Sequence, residues 1–256
     1  MTAPGPGRAY EIRGAAAAQA LDWLHVHANV LGVWEGDDSI AVWLAAPMPT
    51  LPQAGLTVRE IHGTGADEAI TGLERDTPIA VAPDLLVRPP WVERPAAFAG
   101  IELVVPRGGA FGSGEHASTR AALRCLHRLW DAPGSVADVG TGSGVLALYA
   151  VVRGCARVQA CDIEMASVHA ARALLPGAIV HLGGPETLSP ADCVVANMTA
   201  EELHAALPAM LERWTRRSAL VLCGLRAEEV EPMRRRLARE PVATETVEAF
   251  TALGFR

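Results

Sequence analysis

The sequence predicts an α/β protein: a Rossmann-like doubly wound sheet preceded by a small α+β unit with the order βαββ. Three observations carry this expectation. Beyond residue 100, apolar strand-like runs alternate regularly with helical stretches, the pattern of parallel strands joined by helices on both faces. A turn with three glycines follows one of those strands directly and opens a helix. The first 60 or so residues instead offer one helix among short strands. Residues 1–62 are therefore read as the α+β unit, 63–98 as a connection and 99–256 as the sheet domain.

In the first unit, RAYEIRG reads as a short strand and AAAAQALDWLHVHANV as an alanine-rich helix with apolar spacing at Leu21 and Leu24. GVWEG and SIAVWLAAP flank the turn residues Asp37 and Asp38 and form a hairpin that ends at Pro47 and Pro49. From Gly63 to Pro95 the pattern is irregular, with a helix expected around ADEAITGLERD and a strand at LLVRP. IELVV is the next strand, and Ala122, Leu126, Leu129 and Trp130 form a helical stripe between Ser118 and Trp130. VADVG, RVQACD, AIVHL, DCVVAN and ALVLCGL read as strands, separated by SGVLALYAVVRG, MASVHAARALL, AEELHAALPAMLERW and AEEVEPMRRRLARE as helices. VATETVEAF and TALGFR alternate polar and apolar residues, as expected of a hairpin at one sheet edge.

Composition excludes several classes. Half of the 256 residues are hydrophobic and a fifth are charged, enough to bury a substantial core. No stretch approaches the roughly 20 apolar residues of a membrane helix, and MTAPGPGRAYEIRG lacks the order of a signal peptide. A cytoplasmic protein with no membrane contact is expected. The formal charge of -7 argues against direct nucleic-acid binding, which draws on clustered Lys and Arg, and suits a basic partner better. Cys125, Cys155, Cys161, Cys193 and Cys223 form no CxxC pair, so reduced core thiols are expected. The eight histidines show no HxxxH or HExxH spacing and there is no G-x-S-x-G elbow, so neither a metal site nor a serine hydrolase is predicted. A monomer is expected.

The strongest chemical signal is Asp138-Val139-Gly140-Thr141-Gly142-Ser143-Gly144, between a strand and a helix. Glycines at alternate positions let backbone approach a ligand at the carboxyl end of a strand, where open α/β sheets bind. The spacing is GxGxG, not the dinucleotide GxGxxG, and Asp138 would repel a pyrophosphate. It would suit the ammonium of an amino-acid moiety, which S-adenosylmethionine carries; this weighs against a nicotinamide oxidoreductase. Asp162, ending RVQACD, can accept both hydroxyls of a ribose or cap the next helix. Asn197, ending DCVVAN, can touch cofactor and incoming nucleophile or, again, cap a helix. The segment Gly108 to Thr119 has four glycines in its first seven positions, the mark of an unusual backbone path closing over a cofactor. Within it His116 is a candidate base, though a polar loop role suits it better. RRRLARE reads as a solvated helix face.

These segments together resemble the PrmA-type methyltransferases that methylate protein eleven of the large ribosomal subunit. AFGSGEHASTR is similar to the family's AFGTGxHxTTR, ADVGTGSGVLAL to its cofactor loop, ACDIE to its ribose-binding strand end and VVANMTAEELHAAL to its asparagine segment. The resemblance covers roughly residues 100 to 225, and the βαββ start is similar to the family's substrate-recognition domain. It implies a class I methyltransferase sheet and S-adenosylmethionine as cofactor, leaving S-adenosylhomocysteine, without a metal. It places Thr119, Gly140, Asp162 and Asn197 on the cofactor, with Phe111, Gly112, Asp138, Gly142 and Gly144 completing its loops and Asn197 as the catalytic residue. The implied reaction methylates lysine ε-amino or N-terminal α-amino groups of that ribosomal protein, free or on the ribosome. The alternatives are another acceptor on the same fold or a non-catalytic binding module. This chain departs from the pattern at VVPRGGAF, where the family has an acidic residue and proline, at Ser113 and Ser118, where it has threonine, and in ADEAITGLERD, which lacks the family's tryptophans.

Overall fold

The computed structural model describes residues 8–35, 39–44, 46–60, 77–106 and 112–256. The turn residues Asp37 and Asp38, the helix expected around ADEAITGLERD, and Phe111 lie outside them. Chain order begins with β1 (Arg8–Arg13), α1 (Ala17–His27), β2 (Val30–Glu35), β3 (Ile40–Leu44) and β4 (Thr57–Glu60). These strands form an antiparallel sheet in the order β2-β3-β1-β4. Leu21 and Leu24 of α1 are buried against Tyr10, Ile12, Val42 and Leu44 of the sheet, so the predicted βαββ unit has its own core. β4 is an addition: its TVRE sequence is too polar and too exposed to be read as a strand, and it joins by pairing its backbone with β1.

The stretch read as connection also carries structure. β5 (Ile79–Ala82) and β6 (Leu85–Arg88) form a hairpin, and β7 (Ile101–Val104) lies parallel to β6. The strand IELVV thus joins a three-stranded sheet of its own instead of the main one. Its inner side chains Val81, Leu85, Val87 and Leu103 are buried in the same apolar cluster as Ala121, Leu126 and Tyr149 of the later domain. His127 links the two parts, with Nδ1 2.8 Å from the Tyr149 hydroxyl and Nε2 3.0 Å from Asp84.

The main domain runs α2 (Ala117–Arg128), β8 (Ser135–Val139), α3 (Val145–Val152), β9 (Arg157–Asp162), α4 (Met165–Leu174), β10 (Ile179–Leu182), β11 (Cys193–Asn197), α5 (Ala200–Arg213), β12 (Leu220–Leu225), α6 (Ala227–Leu237), β13 (Ala243–Val247) and β14 (Phe250–Phe255). Its seven strands lie in the order β10-β9-β8-β11-β12-β14-β13. β8 to β12 are parallel, and β14 is antiparallel to both neighbours. The central strands are largely apolar because alternate residues serve two cores. Val136, Val195 and Val221 face the cluster with α2, α3 and α4, whereas Ala137, Val194 and Leu222 face α5 and α6. The thiols share this interior: burial pushes Cys125, Cys161 and Cys223 up to about 12 and raises Cys155 and Cys193 as well, and all five are free.

This order fixes where a ligand can bind. The chain leaves β8 toward β9 and β10, then returns to β11 on the other side of β8. Helices diverge at such a reversal and leave a crevice at the strand carboxyl ends.

Candidate functional site

A cleft of about 750 Å³ opens at that reversal, lined by Gly140, Gly142, Asp162, Asn197, Met198 and Phe250 among others. Its volume lies in the usual range of small-molecule sites. Its floor is the turn after β8. Gly140 has φ +66, where a side chain is disfavoured, and a Cβ on it would sit 2.5 Å from the Met198 sulfur. The Gly140 and Thr141 amides donate to the Cys161 carbonyl, both at 3.0 Å, which locks the turn to β9. Gly144 starts α3 as its N-cap and does not line the cleft.

Asp138 turns beneath this loop. It is fully buried, and its Oδ2 accepts from the Thr141 hydroxyl at 2.7 Å and the Ala147 amide at 3.1 Å. Burial pushes its carboxyl up to about 6, an effect that those two hydrogen bonds oppose. Asp138 therefore reaches the cleft only through the loop that it shapes. Its Oδ1 accepts no hydrogen bond among the described residues.

Asp162 closes the other side of the turn. Its Oδ2 accepts from the Gly142 amide at 2.9 Å and its Oδ1 from the Glu164 amide at 3.0 Å. Glu164, not Asp162, is the N-cap of α4. Each carboxylate oxygen still has a lone pair for a ligand hydroxyl, and Asp162 lines the cleft. Beside it Ile163 is 76% exposed, an apolar surface fitted to a flat ring.

Asn197 stands at the tip of β11, and Thr199 caps α5 through a capping box with Glu202. The capping explanation thus passes to Thr199. The Asn197 Nδ2 donates a long hydrogen bond, 3.5 Å, to the hydroxyl of Thr119, which is wholly buried behind it. That leaves Oδ1 as the acceptor at the cleft. The Gly112 carbonyl accepts from Ser143 Oγ at 2.9 Å, tying the loop before α2 to the glycine turn. His116 is the N-cap of α2, its ring accepting from the Ser118 amide, and it also faces the cleft.

Comparisons with known sequences and solved structures bear on the family and the fold. A family model described as ribosomal protein L11 methyltransferase (PrmA) matches residues 60–249. The chain belongs to this family. A ribosomal protein L11 methyltransferase of Thermus thermophilus is 34% identical over 186 residues, 69% of this chain and 68% of that protein. One from Thiobacillus denitrificans is 37% identical over 158 residues, covering 60% of this chain and 53% of the relative. The chain thus aligns with little more than half of some relatives. The crystal structure of a ribosomal protein L11 methylase from Lactobacillus delbrueckii matches with a TM-score of 0.63 and 24% identity, over 69% of this chain and 96% of that one, which supports the fold. The family match begins at residue 60 and so leaves out most of the N-terminal sheet.

Several cleft residues escape a motif reading. Gly183 and Gly184 follow β10 and line the cleft beside Pro185; a glycine pair ending a predicted strand is the signal that could have found them. Arg226, Glu229 and Phe250 also line it, and no spacing announces them. Among the described residues no group of three His, Cys, Asp or Glu side chains could hold a metal ion, and no helix is long and apolar enough to cross a membrane.

Proposed function

We propose that this chain is a protein N-methyltransferase that uses S-adenosylmethionine to methylate lysine ε-amino or N-terminal α-amino groups of ribosomal protein L11. The observation that carries the reading is the convergence of Asp162, the glycine turn and Asn197 at one reversal of strand order, in a member of this family. The donor set fits the cofactor: a carboxylate for ribose hydroxyls at Asp162, an exposed apolar surface at Ile163, and a tight glycine turn for the amino-acid arm. Bound there, S-adenosylmethionine supplies a methyl group activated on a sulfonium.

The protein's own task is positioning. Asn197, held by Thr119 from behind, presents its Oδ1 to the acceptor amine and orients the nitrogen lone pair toward the methyl group. Holding two reactants in line supplies about 7–11 kcal/mol of the barrier, so no strong acid or base is needed. The acceptor lysine, with an ordinary pKa of about 10.4, has to arrive neutral, and the apolar lining of the cleft favours that form by desolvation. The small sheet built on β1 to β4 recognises the acceptor protein, and the enzyme works as a monomer in the cytoplasm without nucleic-acid contacts.

The test is mass spectrometry of purified L11 after incubation with the protein and S-adenosylmethionine, beside an Asp162→Ala control. The chain contains no lysine, so lysine methylation in the mixture belongs to the acceptor. Stepwise methyl gains that vanish in the control are expected. An unmodified acceptor, with cofactor binding intact, would remove L11 as the substrate.

A further inference from the structure

The cleft is wider than the residues that fit the cofactor. Its lining runs from Gly183 after β10 to Phe250 at the start of β14, across six neighbouring strands and so over roughly 24 Å at about 4.8 Å per strand. The residues suited to S-adenosylmethionine, namely Asp162, Ile163, Gly140, Gly142 and the Gly183–Gly184 pair, all belong to β8, β9 and β10 or to the turns that follow them. Beyond Asn197 the wall changes character, to Met198, Arg226, Glu229 and Phe250, with His116 alongside.

Phe250 reaches this place through the edge hairpin. It pairs with Val247 across the two-residue turn Glu248-Ala249, so the antiparallel β14 begins at the end of the sheet where the parallel strands finish. Glu248 adopts φ +53, uncommon for a residue with a side chain, and its carboxylate is held by Arg120 of α2. Strain of this kind persists where the surroundings over-determine it. The ring is fixed from two further directions: the His116 ring centroid lies 4.7 Å away and the Arg226 guanidinium 5.3 Å over the ring. One part of the side chain packs on the main core and the rest faces the cleft. The two carboxylates nearby are directed to backbone donors, Glu202 to the Thr199 amide and Glu229 to the Arg226 amide, so the ring presents an aromatic apolar surface in this wall, beside Met198.

We propose that Phe250 is a specificity-determining residue of the acceptor site, its ring covering the alkyl arm of the lysine that reaches Asn197. This rests on the methyl-transfer reading above and adds to it the C-terminal hairpin as the acceptor wall. A lysine arm is a run of methylenes with a polar head, and such stems lie along apolar surface while the head continues past it. Removing the ring uncovers those methylenes without touching any group that fits the cofactor.

The experiment is steady-state kinetics with L11 varied at saturating S-adenosylmethionine, on the full chain and on Phe250→Ala, Phe250→Leu and Phe250→Tyr, with cofactor affinity measured by calorimetry on each. KM for L11 is expected to rise about tenfold or more in Phe250→Ala, to rise less in Phe250→Leu, and to stay near the parent value in Phe250→Tyr, with cofactor Kd unchanged throughout. Phe250→Leu keeps most of the core volume and carries the comparison if the alanine variant does not fold. An unchanged acceptor KM in the variants without a ring would overturn the proposal, as would a cofactor Kd that rises in step with KM. A parent protein that binds cofactor but leaves L11 unmodified overturns the methyl-transfer reading itself, and with it this one.

Discussion

The two halves of the cleft are built in different ways. Over β8, β9 and β10 the surface is mostly backbone: the glycine turn is hydrogen-bonded to the Cys161 carbonyl and to Asp162, and Asp138 supports it from below. Over β11, β12 and β14 it is mostly side chains, each delivered by a different element: Asn197 by a strand end, Arg226 by a helix start and Phe250 by a hairpin. The difference teaches that the first half is set by local sequence, whereas the second exists only once distant elements have packed. A backbone-built half suits an invariant ligand such as a cofactor; a side-chain-built half can be altered without disturbing the first.

The largest expected effect lies at the seam of the second half. Gly224 has φ +100, and a Cβ on it would lie 1.9 Å from the Met198 carbonyl oxygen. Since that neighbour is backbone, Gly224→Ala has to displace the Asn197-Met198-Thr199 segment, at a cost of about 3 kcal/mol or more. Urea unfolding should show that loss, and turnover should fall further than cofactor affinity. Equal losses in both would mean that the two halves are not separable.

A smaller effect probes the first half. The Asp138 carboxyl, buried and raised from 3.8 to about 6, binds its proton more tightly in the folded chain than in the unfolded one. Below about pH 4 both states are protonated and the contribution to stability is fully present. As pH rises through 6 it is lost, to the extent of roughly 2–3 kcal/mol. Asp138→Asn should lack this component, so the stability difference between parent and variant, followed by urea unfolding from pH 4.5 to 7, should move in the variant's favour as pH rises. A difference that stays constant across that window would remove the assigned burial.

The same contrast explains what was legible beforehand. The parallel strands were readable because two-sided burial leaves apolar runs such as DCVVAN and ALVLCGL, and the glycine turn because its residues are contiguous. Asp162 and Asn197 were found for the same reason: each ends such a run. The sequence left their capping roles open, and packing assigns those to Glu164 and Thr199. β4 was illegible because its four residues carry three polar side chains, bury none of them, and contribute backbone pairing. The parallel pairing of β6 and β7 was illegible because their connection carries no helix, whereas parallel strands are usually joined by one. Phe250 ends the run VATETVEAF, which reads as a single strand, and only the turn at Glu248-Ala249 and the position of β14 between β12 and β13 bring it to the cleft.

The central claim is that cofactor and acceptor occupy separate halves that meet at Asn197, and one paired measurement tests it most directly. S-adenosylmethionine affinity by calorimetry and turnover on L11 would be determined for Asp162→Ala and Asn197→Ala side by side. The account predicts that Asp162→Ala weakens cofactor binding by about a hundredfold, through two lost charge-assisted hydrogen bonds to the ribose. Asn197→Ala should lower kcat by about a hundredfold through a misplaced amine and change cofactor Kd far less. The reverse ranking, with Asn197→Ala the stronger blow to cofactor affinity, would contradict it.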